Sequence, residues 1–202
     1  MKVGIIGAGT MGAGIAQAFA RTQKYEVLLC DLNRELAEKG RNKIADTLRH
    51  REEKGKISNR EVCETMKNIT PGTIEDCGDC GLVIEAAIED MGVKKQTFRK
   101  LQDICGDSCI LATNTSSLSI TEIGAGLKKT VVGMHFFNPA PVMKLVEIIT
   151  GIDTPAETVQ ILKAIAEDIG KVPVQVKETA GFVVNRILIP MINEGIGLYA
   201  ED

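Results

Sequence analysis

The sequence predicts an α/β fold built on a doubly wound, mostly parallel sheet, and three observations point there. The opening 31 residues read as strand, glycine turn, helix and strand. Lys2-Val-Gly-Ile-Ile6 is apolar, Gly7-Ala-Gly9-Thr-Met-Gly12 follows directly, and a small-residue helix runs through Ile15, Ala16, Ala18 and Phe19. Glu26-Val-Leu-Leu-Cys30 then ends on Asp31. Strand and helix patterns go on alternating along the rest of the chain, as a parallel sheet covered on both faces requires. Finally, the composition is 44% hydrophobic but only 3% aromatic, so the core is aliphatic, as in buried sheets of Val, Ile and Leu. The expected organisation is a Rossmann-type domain over residues 1–180 and, over 181–202, the first helix of an all-helical unit.

After Asp31 a long helix places Leu36, Ile44 and Leu48 on one face and runs into the charged stretch around His50 and Lys54. A short strand near Asn68-Ile-Thr70 is closed by Pro71-Gly72. The strand Leu82-Val-Ile-Glu-Ala-Ala87 feeds a helix that turns Val93, Phe98, Leu101 and Ile104 inward. Ile110-Leu-Ala112 and Val131-Val-Gly-Met134 are the next strands, and Met143–Ile149 brings the chain back. Thr154-Pro-Ala-Glu157 reads as a capping box with proline at the first helical position. Its helix buries Val159, Leu162 and Ile165, ends at Gly170, and hands over to a strand at Val172–Val176. From Phe182 to Tyr199 the pattern is helical but apolar on nearly every side. Such a helix needs cover all round: one side is expected on the first domain, the other on a second subunit or on further helices of a longer parent protein.

A G-x-G-x-x-G alone is weak, but here it sits between a strand and a helix with an acidic residue 19 positions after the last glycine. Gly7 makes the tight turn, Gly9 admits a pyrophosphate to the backbone, and Gly12 lets helix pack on strand. The helix start at Thr10 and Met11 offers free N–H groups and a positive dipole end. Asp31 accepts from an adenosine ribose and repels a 2′-phosphate, which makes the cofactor NAD; Arg34, three residues on, leaves NADP open.

The net charge of −3 and the lack of a basic run argue against nucleic acid, and no apolar run is long enough to span a membrane. With the first strand at Lys2 there is no targeting segment, so a cytoplasmic protein is expected. Cys77-x-x-Cys80 and Cys105-x-x-x-Cys109 allow a thiolate metal site, but each cysteine falls where a small apolar residue packs, and no metal is expected.

Chemistry concentrates around His135. It ends the strand Val131–Met134, at the sheet edge where open α/β folds place ligands, and Phe136-Phe-Asn-Pro-Ala-Pro141 makes a rigid loop after it. On the returning strand Glu147 is a carboxylate among aliphatic neighbours, expensive to bury unpaired. A tight loop lets the two meet. A neutral imidazole held by a carboxylate beside a nicotinamide takes the proton of an alcohol while hydride leaves. Asn114-Thr-Ser-Ser117 follows the strand ending at Ala112 and crowds the same edge, with Ser117 or Ser119 open to the plainer role of helix cap.

These segments, with Val83-Ile-Glu-Ala-Ala87 and Thr179-Ala-Gly-Phe-Val-Val-Asn-Arg186, closely resemble the short-form L-3-hydroxyacyl-CoA dehydrogenases across essentially all 202 residues, the bacterial 3-hydroxybutyryl-CoA dehydrogenases most of all. The resemblance implies His135 as catalytic base, Glu147 as its partner, Ser116 on the substrate's 3-oxygen and the histidine, and Asn185 contributing from the last helix. It places Glu89, Lys94, Asn114 and Asn138 at the cofactor, Asn138 also at the substrate, and Thr47 and Lys54 at coenzyme A. It further implies an acyl-CoA substrate such as acetoacetyl-CoA or 3-hydroxybutyryl-CoA, and a homo-oligomer formed through a C-terminal helical region. The family normally continues for another helical domain, so a truncated chain is expected. Two alternatives stand beside this reading. One is an NAD-binding module without turnover; the other is a related β-hydroxyacid dehydrogenase, whose lysine acid/base would leave His135 and Glu147 unexplained.

Overall fold

The computed structural model describes residues 1–201; Asp202, the last residue of the expected helical unit, lies outside the described residues. Eight strands form one sheet in the order β3-β2-β1-β4-β5-β6-β7-β8. They are β1 Lys2–Ile6, β2 Glu26–Cys30, β3 Ile69–Gly72, β4 Leu82–Glu85, β5 Ile110–Thr113, β6 Val131–Phe136, β7 Leu145–Thr150 and β8 Val172–Lys177. The helices are α1 Thr10–Ala20, α2 Arg34–Glu53, α3 Asn59–Lys67, α4 Met91–Ile104, α5 Ile120–Gly124, α6 Ala156–Asp168 and α7 Val184–Ala200. The pairs from β3 through to β6 are parallel, β6–β7 is antiparallel, and β8 runs parallel to β7.

The alternation in the strands explains the two cores. Val3, Ile5, Val27, Leu29, Leu82 and Ile84 point to the face covered by α1, α2 and α6, through Ile15, Phe19, Ile44, Leu48 and Leu162. Ile6, Leu28, Cys30 and Val83 point to the other, covered by α4 and α5 through Phe98, Leu101, Ile120 and Ile123. Both faces are apolar because both are roofed. Cys77, Cys80, Cys105 and Cys109 lie buried in this second core as free thiols, the packing role expected of them. Proline in β3 is tolerated because β3 is an edge strand.

β1 has β2 on one side and β4 on the other, so successive connections leave in opposite directions between β1 and β4. This is the switch point of a doubly wound sheet, and it opens a crevice at the carboxyl ends of the strands.

Several details differ from the sequence reading. Residues 59–67 form a helix that the pattern did not reveal, closed by a capping box in which Ser58 and Glu61 bond each other's backbone. The capping box expected at Thr154 does not form: the Thr154 hydroxyl accepts from Gly151 N at 2.9 Å, committing it to the preceding turn, and α6 begins one residue late behind Pro155. The buried stripe of α2 runs through Ala37, Gly40, Ile44 and Leu48, with Leu36 at its half-buried margin. Gly40 is dictated by contact, since a Cβ there would lie 2.6 Å from the Cβ of Ala8 in the glycine turn. The expectation that one side of α7 packs on the domain is overturned. None of its residues is buried, and only its first turn engages the body of the molecule. Among the described residues no helix is long and apolar enough to cross a membrane.

Candidate active site

The glycine turn leaves β1 at the switch point. Gly7 has φ +100°, and a Cβ on it would stand 2.7 Å from the carbonyl oxygen of Ala86. A Cβ on Gly12 would stand only 1.7 Å from the carbonyl oxygen of Gly7, so turn and helix close to backbone contact. Gly9 is the opposite case: a Cβ there would meet nothing within 4 Å. Its missing side chain therefore leaves room for something that is not protein. No side chain caps α1 and no acidic residue occupies its first turn, so the N–H groups opening at Thr10 and Met11 are free for an anion. Asp31 is aimed at the same turn: Oδ2 accepts from Ala8 N at 2.7 Å and Oδ1 from Leu32 N at 2.8 Å. The guanidinium of Arg34 is paired with Asp76 at 3.2 Å. A backbone cradle with a positive helix end and an acidic partner fits a dinucleotide such as NAD.

His135 and Glu147 sit directly opposite one another in the β6–β7 ladder. The two residues are 3% and 1% exposed respectively. The imidazole Nδ1 and Glu147 Oε2 are 2.8 Å apart. A carboxylate accepts only, so Nδ1 carries a hydrogen, and in the neutral imidazole Nε2 presents its lone pair. That Nε2 lies 3.2 Å from the Ser116 hydroxyl. The rings of Phe137 and Phe182 pack on the imidazole at centroid distances of 4.5 and 5.6 Å, keeping it in an apolar sleeve. Glu147 spends its other oxygen on α7: Oε1 accepts from Val183 N and Val184 N, both at 3.1 Å. Burial pushes the Glu147 carboxyl up, but the bonds from His135 and the two amides outweigh it and hold it below the ordinary range.

The loop after β5 completes the cluster. Asn185 Nδ2 donates to the Ser116 carbonyl at 3.3 Å. Asn114 turns inward, its Oδ1 accepting from Phe136 N at 2.8 Å, and so ties the loop to β6. Glu89 accepts from Ser116 N at 2.9 Å, from Ser117 Oγ at 3.2 Å and from the Thr115 hydroxyl, while its second oxygen pairs with Lys94 at 3.2 Å. Burial raises the Glu89 carboxyl, yet these bonds lower it overall. Ser119 caps α5, the plainer of the roles open to it. Asn138 is exposed on the loop after β6 and precedes Pro139 by a cis peptide. That loop rests against α1, where a Cβ on Gly14 would touch Ala140 and Pro141 at 3.2 Å.

The structure thus brings His135, Glu147, Ser116, Asn185, Glu89, Lys94 and Asn114 into one bonded cluster beside the glycine turn. Thr47 and Lys54 are not drawn in. Both are exposed, Thr47 on α2 and Lys54 just past its C-terminal end, and the Thr47 hydroxyl donates to the Lys43 carbonyl at 2.9 Å. Sequence reasoning missed Glu85, whose two oxygens hold Lys94 at 2.8 and 2.9 Å, and Thr113, which donates to Glu85 at 2.7 Å. A carboxylate within an apolar strand was the available signal, the same one that marked Glu147. It also missed Lys171, buried with its ammonium donating to the carbonyls of Ala140 and Met143 at 2.6 and 2.8 Å. No local pattern marks it, because its partners lie far back in the chain.

The family described as "3-hydroxyacyl-CoA dehydrogenase, NAD binding domain" matches residues 2–179. The chain is 46% identical over 204 residues to a 3-hydroxybutyryl-CoA dehydrogenase of Clostridioides difficile, covering 100% of this chain and 72% of that protein. It is 38% identical to the human mitochondrial hydroxyacyl-coenzyme A dehydrogenase, covering 98% of this chain and 65% of that one. Among solved structures, the (S)-3-hydroxybutyryl-CoA dehydrogenase of Ralstonia eutropha superimposes with a TM-score of 0.93 at 40% identity, over 99% of this chain and 71% of the other.

Proposed function

Because the chain belongs to the 3-hydroxyacyl-CoA dehydrogenase family, an NAD-dependent oxidoreductase family, we propose that it interconverts an (S)-3-hydroxyacyl-CoA, with 3-hydroxybutyryl-CoA the foremost substrate, and the 3-ketoacyl-CoA. The observation carrying this reading is the buried His135–Glu147 pair with Ser116 on its free nitrogen, at the edge of the crevice that the glycine turn opens. Bound NAD supplies the hydride acceptor. His135 Nε2 takes the proton of the 3-hydroxyl, and Ser116, freed from the imidazole, donates to the same oxygen. Glu147 fixes the tautomer and offsets the charge of the imidazolium that forms. In the reducing direction the imidazolium returns the proton. Asp31 holds the adenosine ribose and its charge repels a 2′-phosphate, while the nearby Arg34 is paired with Asp76. Asn138 lines the substrate, and Thr47 on the exposed face of α2 and Lys54 at its C-terminal cap meet the coenzyme A moiety. Residues 1–180 form the cofactor domain and 181–202 begin a helical one. A second copy covers the apolar surface of α7, where Ile187, Ile189, Met191, Ile192, Ile196 and Leu198 are exposed.

The test is direct. Mixed with NADH and acetoacetyl-CoA, the protein consumes NADH; NADH binding with no turnover would reduce it to a cofactor-binding module. His135→Gln is expected to lower kcat by about 10³-fold, within the range of general acid–base catalysis, with NADH affinity unchanged. Loss of both together would remove His135 from the chemistry.

A further inference from the structure

Glu85 at the end of β4 is 0% exposed and Lys94 in the first turn of α4 is 1% exposed. Burying two full charges is expensive, and the proton-transfer steps above use neither. Their bonds lead somewhere specific. Glu85 accepts from Ala87 N at 2.8 Å, from Lys94 Nζ through both oxygens, and from Thr113 Oγ1 at 2.7 Å. Lys94 also reaches Glu89, 3.2 Å away, and Glu89 grips the Ser116 amide at 2.9 Å. Ser116 then touches His135. Glu85 therefore holds the reacting loop at two points: at its root through Thr113, the last residue of β5, and at its middle through Lys94 and Glu89.

We propose that Glu85 is a positioning residue, which sets the Ser116 hydroxyl against His135 through Lys94 and Glu89. The inference rests on the dehydrogenase reading for its catalytic consequence but not for its geometry. With Glu85 neutral, the buried ammonium keeps a single carboxylate, Glu89. That carboxylate is drawn toward Lys94 and away from the Ser116 amide, and where Lys94 is removed as well it loses the ammonium that anchors it there. A displacement near 1 Å at a reacting group costs about 10²-fold in rate.

Two variants separate positioning from simple support of the fold. Glu85→Gln keeps the shape and removes the charge; Glu85→Gln with Lys94→Met removes both charges and leaves no buried ion without a counter-ion. At saturating NADH, Glu85→Gln is expected to lower kcat about 10²-fold with KM for acetoacetyl-CoA changed by less than about threefold. The double variant should recover Tm without recovering kcat. Recovery of both would make the pair a fold element only and overturn the proposal. Crystal structures of the wild type and the variants give a readout independent of turnover. Ser116 Oγ should leave hydrogen-bond distance of His135 Nε2 in both variants, and an unmoved Ser116 refutes the idea even if the wild type turns out inactive. Should Glu85→Gln fail to fold, Thr113→Val carries the test. It leaves the ion pair intact, strands the Thr115 amide at a modest cost in Tm, and should lower kcat about fivefold; an unchanged kcat counts against the proposal.

Discussion

At the scale of residues, Glu147 shows how one buried group serves chemistry and architecture together. All three of its partners, the His135 Nδ1–H and the amides of Val183 and Val184, are donors. Glu147→Gln puts an amide NH2 group among them. Either a donor faces a donor, or the imidazole switches tautomer and presents a protonated Nε2 to the substrate. A fall in kcat of about 10²–10⁴-fold is therefore expected, with the lower pH limb of the rate profile displaced. The pH dependence of stability has a definite sign. The folded carboxyl lies below its unfolded value, so its contribution is complete above the ordinary carboxylate pKa, about 4.3, and disappears as pH falls through the folded value. Melting curves of the wild type and Glu147→Gln should thus converge in acid and separate above about pH 5; parallel curves would show that the charge does not stabilise the fold.

At the scale of elements, the glycine turn separates two uses of a missing side chain. Gly12→Ala drives a methyl into the Gly7 carbonyl, contact that neither backbone can relieve, and should destabilise by about 3 kcal/mol or more. Gly9→Ala adds a methyl to space the protein leaves empty, so Tm should stay within about 1 °C while NADH affinity falls at least about tenfold. Equal losses of Tm in the two would undo the distinction. The loop after β6 is held less visibly, by α1 at Gly14 and by the ammonium of Lys171. Lys171→Met strands two carbonyls and is expected to cost about 2 kcal/mol, measured by denaturant melts. Strands and long helices were legible because their patterns are local: unbroken apolar runs in β1, β2 and β4, and the stripes of α2 and α4. The helix at Asn59–Lys67 escaped because it buries little, only Val62 and Thr65, and its signature is a cap rather than a stripe.

For the whole molecule, the sheet order places the ends of β1, β4, β5 and β6 along one crevice, and the reversal at β7 brings Glu147 back to it. The exposed apolar length of α7 makes assembly the natural expectation at this scale. Ile189→Glu with Ile196→Glu should halve the mass measured by light scattering at about 10 µM, where a Kd in the usual micromolar range or below keeps the wild type paired. A wild type already monomeric there would refute the proposed pairing. By itself the sequence determined whatever depends on neighbours along the chain: the glycine turn, the strand that ends at Asp31, the two-sided apolar strands, and the pairing of His135 with Glu147 across a short return. Tertiary structure alone decided that the buried Glu85–Lys94 pair reaches Thr113 directly and Ser116 through the exposed Glu89, that Lys171 clamps a loop some thirty residues earlier, and that α7 beyond its first turn stands clear of the domain. The physical reason is that a buried charge is tolerated only with partners at bonding distance, and sheet crossovers bring such partners from parts of the chain between which no spacing rule operates.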